Sequence, residues 1–445
     1  MSARPPASPG SAAPPARAAP RGGTWRSLRN RNFLTYLVGQ AFSQTGNWFQ
    51  QTAEIWLILQ LTGSGTAVGL ASALRFGPLL FFGIPAGLLV DRHDRRRLMM
   101  TTQALYTLTT GAMALAAFAA SPSLPFIYAM ILAQGCIGAI DNPLRRSIVR
   151  DLVSDDDLPN AVSLNSTMHT VARSIGPAVA GLLIVLVGVP WCFALNSGSY
   201  GIVLVSLLLL DRRRFRPAVH VPAAAGQLRE GFRYAWNNRR IRRALVMVTV
   251  FGLSGLNWNV ILPVYSTQVF GGDASLYGLL VGILGVGAMT GGLIVARVTT
   301  ISGGHFRNVG ILMAVAFGIT AVAPSLPIAI VGLALLGAAA TSFQIFAQTR
   351  LQLEADDIFS GRILAIYSVA LVGTKPIGGV LVGVLMDAAG GPRVAFAVCG
   401  AIAALMFGAF ALSRASRQAH VVRAGVGRPD GNLDAEPELP LLDQK

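Results

Sequence analysis

Apolar residues run along this chain in long unbroken stretches, without the alternation of a strand or the one-sided face of a soluble helix. Twelve stretches are near or above the roughly 20 residues a helix needs to cross a hydrocarbon core. They span residues 33–61, 66–90, 98–120, 125–144, 161–187 and 190–210, then 244–270, 275–296, 309–323, 327–348, 363–386 and 394–412. Short turns separate them, apart from one long polar interval. The pattern predicts an all-α membrane protein with 12 transmembrane helices. Its expected parts are a disordered tail at 1–28, a six-helix bundle at 29–210, a linker at 211–243, a second six-helix bundle at 244–413 and a disordered tail at 414–445.

Composition agrees, with 53% hydrophobic and only 13% charged residues, where soluble domains carry roughly a quarter charged. The net charge of +16 raises nucleic acid as a partner, and the placement of the charge answers that. Of the 36 lysines and arginines, Arg75, Arg173 and Lys375 lie inside apolar runs and Arg393 lies in a turn on one side; all the others fall on the other side. This asymmetry puts both termini in the cytoplasm. The charge then reports topology and contact with anionic lipid, so no nucleic acid is expected. The first 25 residues lack the apolar core of a signal peptide. The linker carries Leu228, Phe232, Trp236 and Ile241 among arginines, an amphipathic stretch suited to the membrane surface.

The two halves repeat one another. A polar acidic turn at Asp155, Asp156 and Asp157 precedes a glycine-rich helix interrupted at Pro177, and Asp356 and Asp357 precede one interrupted at Pro376. Repeats of six spans characterise transporters whose halves rock about a central site.

Between the second and third runs the chain reads Gly83-Ile-Pro-Ala-Gly87-Leu-Leu-Val-Asp91-Arg92-His93-Asp94-Arg95-Arg96-Arg97. This resembles the loop signature of the major facilitator superfamily, although many members have glycine where Asp94 stands. The resemblance covers residues 29–412. It implies the major facilitator fold, two pseudo-symmetric six-helix bundles. It also implies a cytoplasmic latch, in which Asp91 meets the start of the eleventh helix near Arg362 while Arg92, Arg95 and Arg96 complete a charge cluster that closes the inner side. The spacing of Gly83 and Gly87 suits close approach of a neighbouring helix. Asn30-Arg-Asn-Phe33, Ser43-Gln-Thr-Gly-Asn-Trp48 and Leu61-Thr-Gly-Ser64 are similar to the bacterial branch of enterobactin exporters and macrolide efflux proteins, with Asn47 where an acidic residue is common there. Gly176, Pro177 and Gly181 resemble an incomplete antiporter motif in the fifth span, Ala180 replacing a glycine. With Pro376 they are expected to kink their helices.

The first span holds the densest polar signal. Gln40, Gln44, Asn47, Gln51 and Glu54 follow at steps of four and three, on one helical face. Facing lipid they would be costly, so they line a cavity or join helices. Arg75 sits at a similar depth on the next helix and is a candidate partner for Glu54; the pair is either a proton-coupling switch or a static ion pair. Arg173 and Lys375 are further intramembrane charges. Asp141, four residues before Arg145 near the inner surface, is another candidate intramembrane charge, and an i,i+4 surface pair explains it equally well. Asn257, Asn259, Gln344 and Gln348 are the matching lining in the second half, and a mostly apolar cavity with a few amides suits bulky amphipathic cargo.

No nucleotide-binding loop and no His or Cys cluster is present, so the chain is expected to need no metal or cofactor and not to be an enzyme. The expectation is a monomeric secondary transporter in a bacterial inner membrane, exporting a small amphipathic molecule such as a drug, a macrolide-like compound or a siderophore. The proton gradient is its expected energy source. An importer and a non-transporting sensor or assembly protein are the alternatives.

Overall fold

In a computed structural model of the chain, residues 25–119, 122–211, 227–298 and 303–423 are described. Residues 1–24 and 424–445 of the expected tails and 212–226 of the expected linker lie outside them; residues 414–423, expected to belong to a disordered tail, instead continue the last helix past its apolar run, and 227–243 of the linker are helical except at Asn238. The described residues are helical almost throughout. The first half comprises α1 (Arg31–Thr62), α2 (Gly65–Arg92), α3 (Arg95–Phe118), α4 (Leu124–Leu152), α5 (Leu158–Val187) and α6 (Val189–Leu209). A surface helix, α7 (Gln227–Asn237), leads into α8 (Arg239–Ser254), α9 (Trp258–Phe270), α10 (Ala274–Val295), α11 (Gly303–Val322), α12 (Leu326–Glu354), α13 (Asp357–Val372), α14 (Lys375–Ala388) and α15 (Pro392–Arg423).

The turns carry the chemistry that ends helices. Asn30 caps α1, accepting from the amides of Asn32 and Phe33 at 3.0 and 3.3 Å. Gly63 closes the same helix with φ of 63°, its N–H bonded to the Leu59 carbonyl. Asp94 caps α3 through the Arg97 amide at 3.1 Å.

Among the described residues, ten helical segments are long and apolar enough to cross a membrane. The other two expected spans, α1 and α3, have 32 and 24 residues. Their length suffices, but polar side chains dilute their apolar character. Several helices overrun their apolar limits: α4 reaches Leu152 and α12 reaches Glu354, since an amphipathic end keeps its backbone bonds outside the apolar layer.

Two spans are broken, the second of them beside Pro376, where the sequence predicts an interruption. Between α8 and α9, Gly255 interrupts the helix and the Asn257 side chain donates to the Leu253 carbonyl at 2.7 Å, competing with the backbone ladder. Between α13 and α14 the break falls at Gly373 and Thr374. Pro376 cannot donate to the carbonyl of Val372, where α13 ends. Pro177, by contrast, stays inside one continuous helix.

The bundles α1–α6 and α8–α15 meet along two matched seams, α2 against α14 and α5 against α10. Both depend on glycine. A methyl group added at Gly69 would strike the Gly379 carbonyl, and one at Gly278 the Pro177 carbonyl. These seams lie toward the face opposite the described chain ends. The face that carries the chain ends holds Arg26, Arg95, Arg150, Arg240 and Arg350 and is called the basic face below. Toward that face no comparable seam joins the described helices of the two halves, and a methyl group added at Gly87 of α2 would touch nothing within 4 Å. The molecule is thus closed at the far face and open at the basic one.

Candidate functional site

The gap between the halves leads from the basic face to mid-depth, and charged groups meet along it. Glu54 of α1 and Arg75 of α2 form an ion pair. Glu54 is 2% exposed and also accepts from Gln50 Nε2. Gln50 is itself the centre of a buried network: it bonds Gln134 of α4 and Asn196 of α6, and accepts from Thr110 Oγ1 of α3 at 3.0 Å. A closed cavity of about 30 Å³ borders the pair, lined by Gln51, Phe76 and Asn259 among others. It has room for about one water.

A second network lies one turn or more nearer the basic face. Asp141 and Arg145 form an ion pair, and Arg145 reaches Gln40. Thr102 and Gln103 donate to Asp141 at 3.0 and 2.9 Å. Of the two readings open for Asp141, the buried charge is the one found, with Asp141 4% exposed. Asp141 lies within the apolar run that ends at Leu144, and α4 continues to Leu152, so Arg145 is carried into the bundle beside it. Gln40, expected to line the cavity, is packed in this network at 1% exposure.

Of the remaining α1 stripe, Gln44, Asn47 and Gln51 are half-buried. Asn47 accepts from Tyr200 Oη, whose ring stacks on Tyr106 at 4.8 Å. In the second half, Asn259 and Gln344 are half-buried and Gln348 is exposed. Asn257 is buried and spends its amide on the helix break, a correction to its expected lining role. Arg173 is exposed and Lys375 half-buried, with Lys375 Nζ 5.2 Å from the centre of the Phe76 ring.

Among the described residues, no ion pair joins the expected latch arginines across the halves. Arg95 bonds both oxygens of Asp151 at 2.8 and 3.0 Å, and Arg96 bonds the carbonyls of Leu207 and Leu208. Arg362 bonds Glu230 of α7 at 2.8 Å. Each is held within its own half, Arg92 is exposed, and the Asp91 side chain lies outside the described residues. Gly83 and Gly87 meet no neighbouring helix: a methyl at Gly87 would touch nothing within 4 Å. Close approach occurs instead at Gly65 and Gly69, at the other end of α2.

A cross-half clasp does exist at the far face, and the sequence reading missed it. The Asp387 carboxylate of α14 accepts from the Gly65 and Thr66 amides at 2.8 and 2.9 Å and from Ser64 Oγ at 2.6 Å. It caps the start of α2, where the helix dipole favours a negative charge. Asp387 is followed by Ala-Ala-Gly-Gly; as one acidic residue near a turn, it carried no pattern.

Residues 22–422 match the family described as transmembrane secretion effector. The chain is 26% identical over 368 residues to the staphyloferrin A transporter of Staphylococcus aureus, covering 80% of this chain and 89% of that one. It is 27% identical over 386 residues to the multidrug efflux pump Tap of Mycobacterium tuberculosis, covering 82% and 90%. With macrolide efflux protein A of Streptococcus pyogenes it shares 23% over 242 residues, 54% and 60% of the two chains. Among solved structures, the nucleoside transporter NupG superposes with a TM-score of 0.69 at 13% identity, covering 86% of this chain and 98% of that one. A bacterial homologue of the iron transporter ferroportin gives 0.66 at 14%, covering 85% and 98%. With two helical bundles, paired glycine seams and a gap lined by buried charges, the chain belongs to the transmembrane secretion effector family of major facilitator transporters.

Proposed function

We propose that this protein exports a small amphipathic molecule across a bacterial plasma membrane by alternating access, exchanging it for protons. The observation that carries the reading is the Glu54–Arg75 pair, buried where α1 and α2 meet α9 of the other half. Protonation of Glu54 removes its charge and releases Arg75. A proton thereby changes the electrostatics at the point where the halves bear on each other. The Tap pump and macrolide efflux protein A are efflux proteins, which supports export over import.

In this reading the basic face is cytoplasmic, with both termini on that side and its arginines against anionic headgroups. The state described here takes up cargo from the cytoplasm. A monomer suffices, since both halves of the gap come from one chain.

The test is accumulation of lipophilic dyes and macrolides in cells expressing the wild type or Glu54→Gln, with and without a proton uncoupler. The expected result is lowered accumulation with the wild type, abolished by the substitution and by the uncoupler. Unchanged export in the Glu54→Gln cells contradicts the proton-coupling role.

A further inference from the structure

Most charged groups deep in the gap are matched. Glu54 is paired with Arg75 and Asp141 with Arg145. Arg173 and Lys375 are different: neither has an ion pair or a hydrogen bond among the described residues. Cations held this far inside a membrane protein without a counter-charge are expensive unless something supplies one.

Both point to the same space. On α5, the exposed apolar side chains Val171, Ile175, Val179, Leu182 and Leu186 form one stripe suited to lipid. Ser174 and Gly181 pack on α10, and Gly176 packs on Trp48 of α1. At 100° per residue, Arg173 falls on the remaining side, away from the stripe and between α1 and α10. On α14, Ile377, Leu381 and Val384 form the exposed apolar stripe, Gly379 and Gly383 pack on α2, and Gly378 packs on α8. Lys375 likewise falls opposite its stripe, between α2 and α8.

The depths also match. Arg173 is fourteen residues from the far end of α5 and Lys375 thirteen from the far end of α14, roughly 20 Å in each case. Two positive charges at matched depth, one on each half, repel each other.

The α14 backbone adds to the same potential. Lys375 is the first residue of a 14-residue helix that begins at mid-depth. The Thr374 hydroxyl donates to the Ala370 carbonyl and does not cap it. Its amide end therefore adds partial positive charge beside the ammonium.

We propose that Arg173 and Lys375, one from each half, form a binding site for a carboxylate of the cargo, which makes the exported molecule an organic anion. A carboxylate bridging them replaces repulsion with two charge-assisted contacts, and Phe76 and Trp48 offer apolar surface for the rest of an amphipathic molecule. Because each half contributes one cation, the bound anion draws the halves together on the cargo. An empty site keeps them apart by like charge. This rests on the transport reading above and narrows it from amphipathic molecules in general to acids.

The test uses the intact protein in phosphatidylcholine nanodiscs, which hold no anionic headgroup, and two probes: 11-(dansylamino)undecanoate and its uncharged methyl ester. Fluorescence titration against empty nanodiscs is expected to give saturable binding of the acid, tighter than the ester by about tenfold or more. Arg173→Gln and Lys375→Gln are each expected to remove most of that preference while leaving ester binding unchanged, and Lys375→Arg to keep it. Equal binding of acid and ester by the wild type overturns the proposal without any variant, as does absence of saturable acid binding. A preference that survives both Gln substitutions also overturns it. The outcome is separate from transport: acid preference without efflux from cells defeats the export reading and leaves the anion site, and efflux without acid preference does the reverse.

Discussion

Asp387, in the last turn of α14, accepts a hydrogen bond from Ser64 Oγ at 2.6 Å across the boundary between the halves, and its carboxylate also caps the first amides of α2. At the basic face, Arg95 and Arg96 bond within the first half and Arg362 bonds α7, so none of the three fastens one half to the other among the described residues. The protein thus presents a fastened far face and an unfastened basic face.

Asp387→Asn keeps the size of the side chain and removes its charge. The cap is worth about 1 kcal/mol or more with a carboxylate acceptor, so its loss moves the conformational balance toward opening at the far face. With Gln268→Cys as a reporter beside Asp387 and Cys136 replaced by serine, thiol labelling from that side is expected to speed up several-fold. An unchanged rate means that the clasp contributes nothing to closure.

The glycine seams give a contrast between two ends of one helix. Gly69→Val drives a side chain into the Gly379 carbonyl. Such overpacking costs about 1–3 kcal/mol in the closed far-face state, and transport is expected to fall with the protein still inserted. Gly87→Ala adds a methyl where nothing lies within 4 Å, so transport and thermal stability are expected to remain near wild type in this state. Equal damage at both positions contradicts the placement of the seam.

For the buried pair, Arg75→Gln leaves Glu54 without its cation, and breaking a buried pair in this way costs about 3–5 kcal/mol. A melt of the purified protein is expected to drop markedly for Arg75→Gln and to recover in the double variant Glu54→Gln/Arg75→Gln, which buries neither charge. If the double variant melts no higher than the single one, the two residues are not energetically coupled.

Much of the architecture was legible because a membrane imposes long apolar helices and a one-sided distribution of arginine. The Glu54–Arg75 contact was legible too, from similar depth on successive helices. What escaped the sequence shares a physical cause: it depends on residues far apart in the chain. Gln50 lies outside the four-and-three stripe of α1, yet it gathers partners from α3, α4 and α6, and no local spacing announces that. For Asp141 a buried charge and a surface pair both stayed open, because apolar run length sets the membrane limit but not the end of α4. Gly83 and Gly87 have the spacing for close approach, whereas which end of α2 another helix reaches depends on which face is closed. Nor does sequence alone reveal that Arg173 and Lys375 share a space, since this follows from the wheel positions of two helices in different halves.

The central claim is export driven by protons, and direction is its most exposed part. Everted membrane vesicles carrying the wild type, energised so that their interior becomes acid, should be compared with right-side-out vesicles using one fluorescent substrate from the cell assay. The account predicts accumulation inside the everted vesicles, collapsed by an uncoupler and absent with Glu54→Gln. Accumulation in the right-side-out vesicles instead, or accumulation in everted ones that ignores the proton gradient, would contradict it.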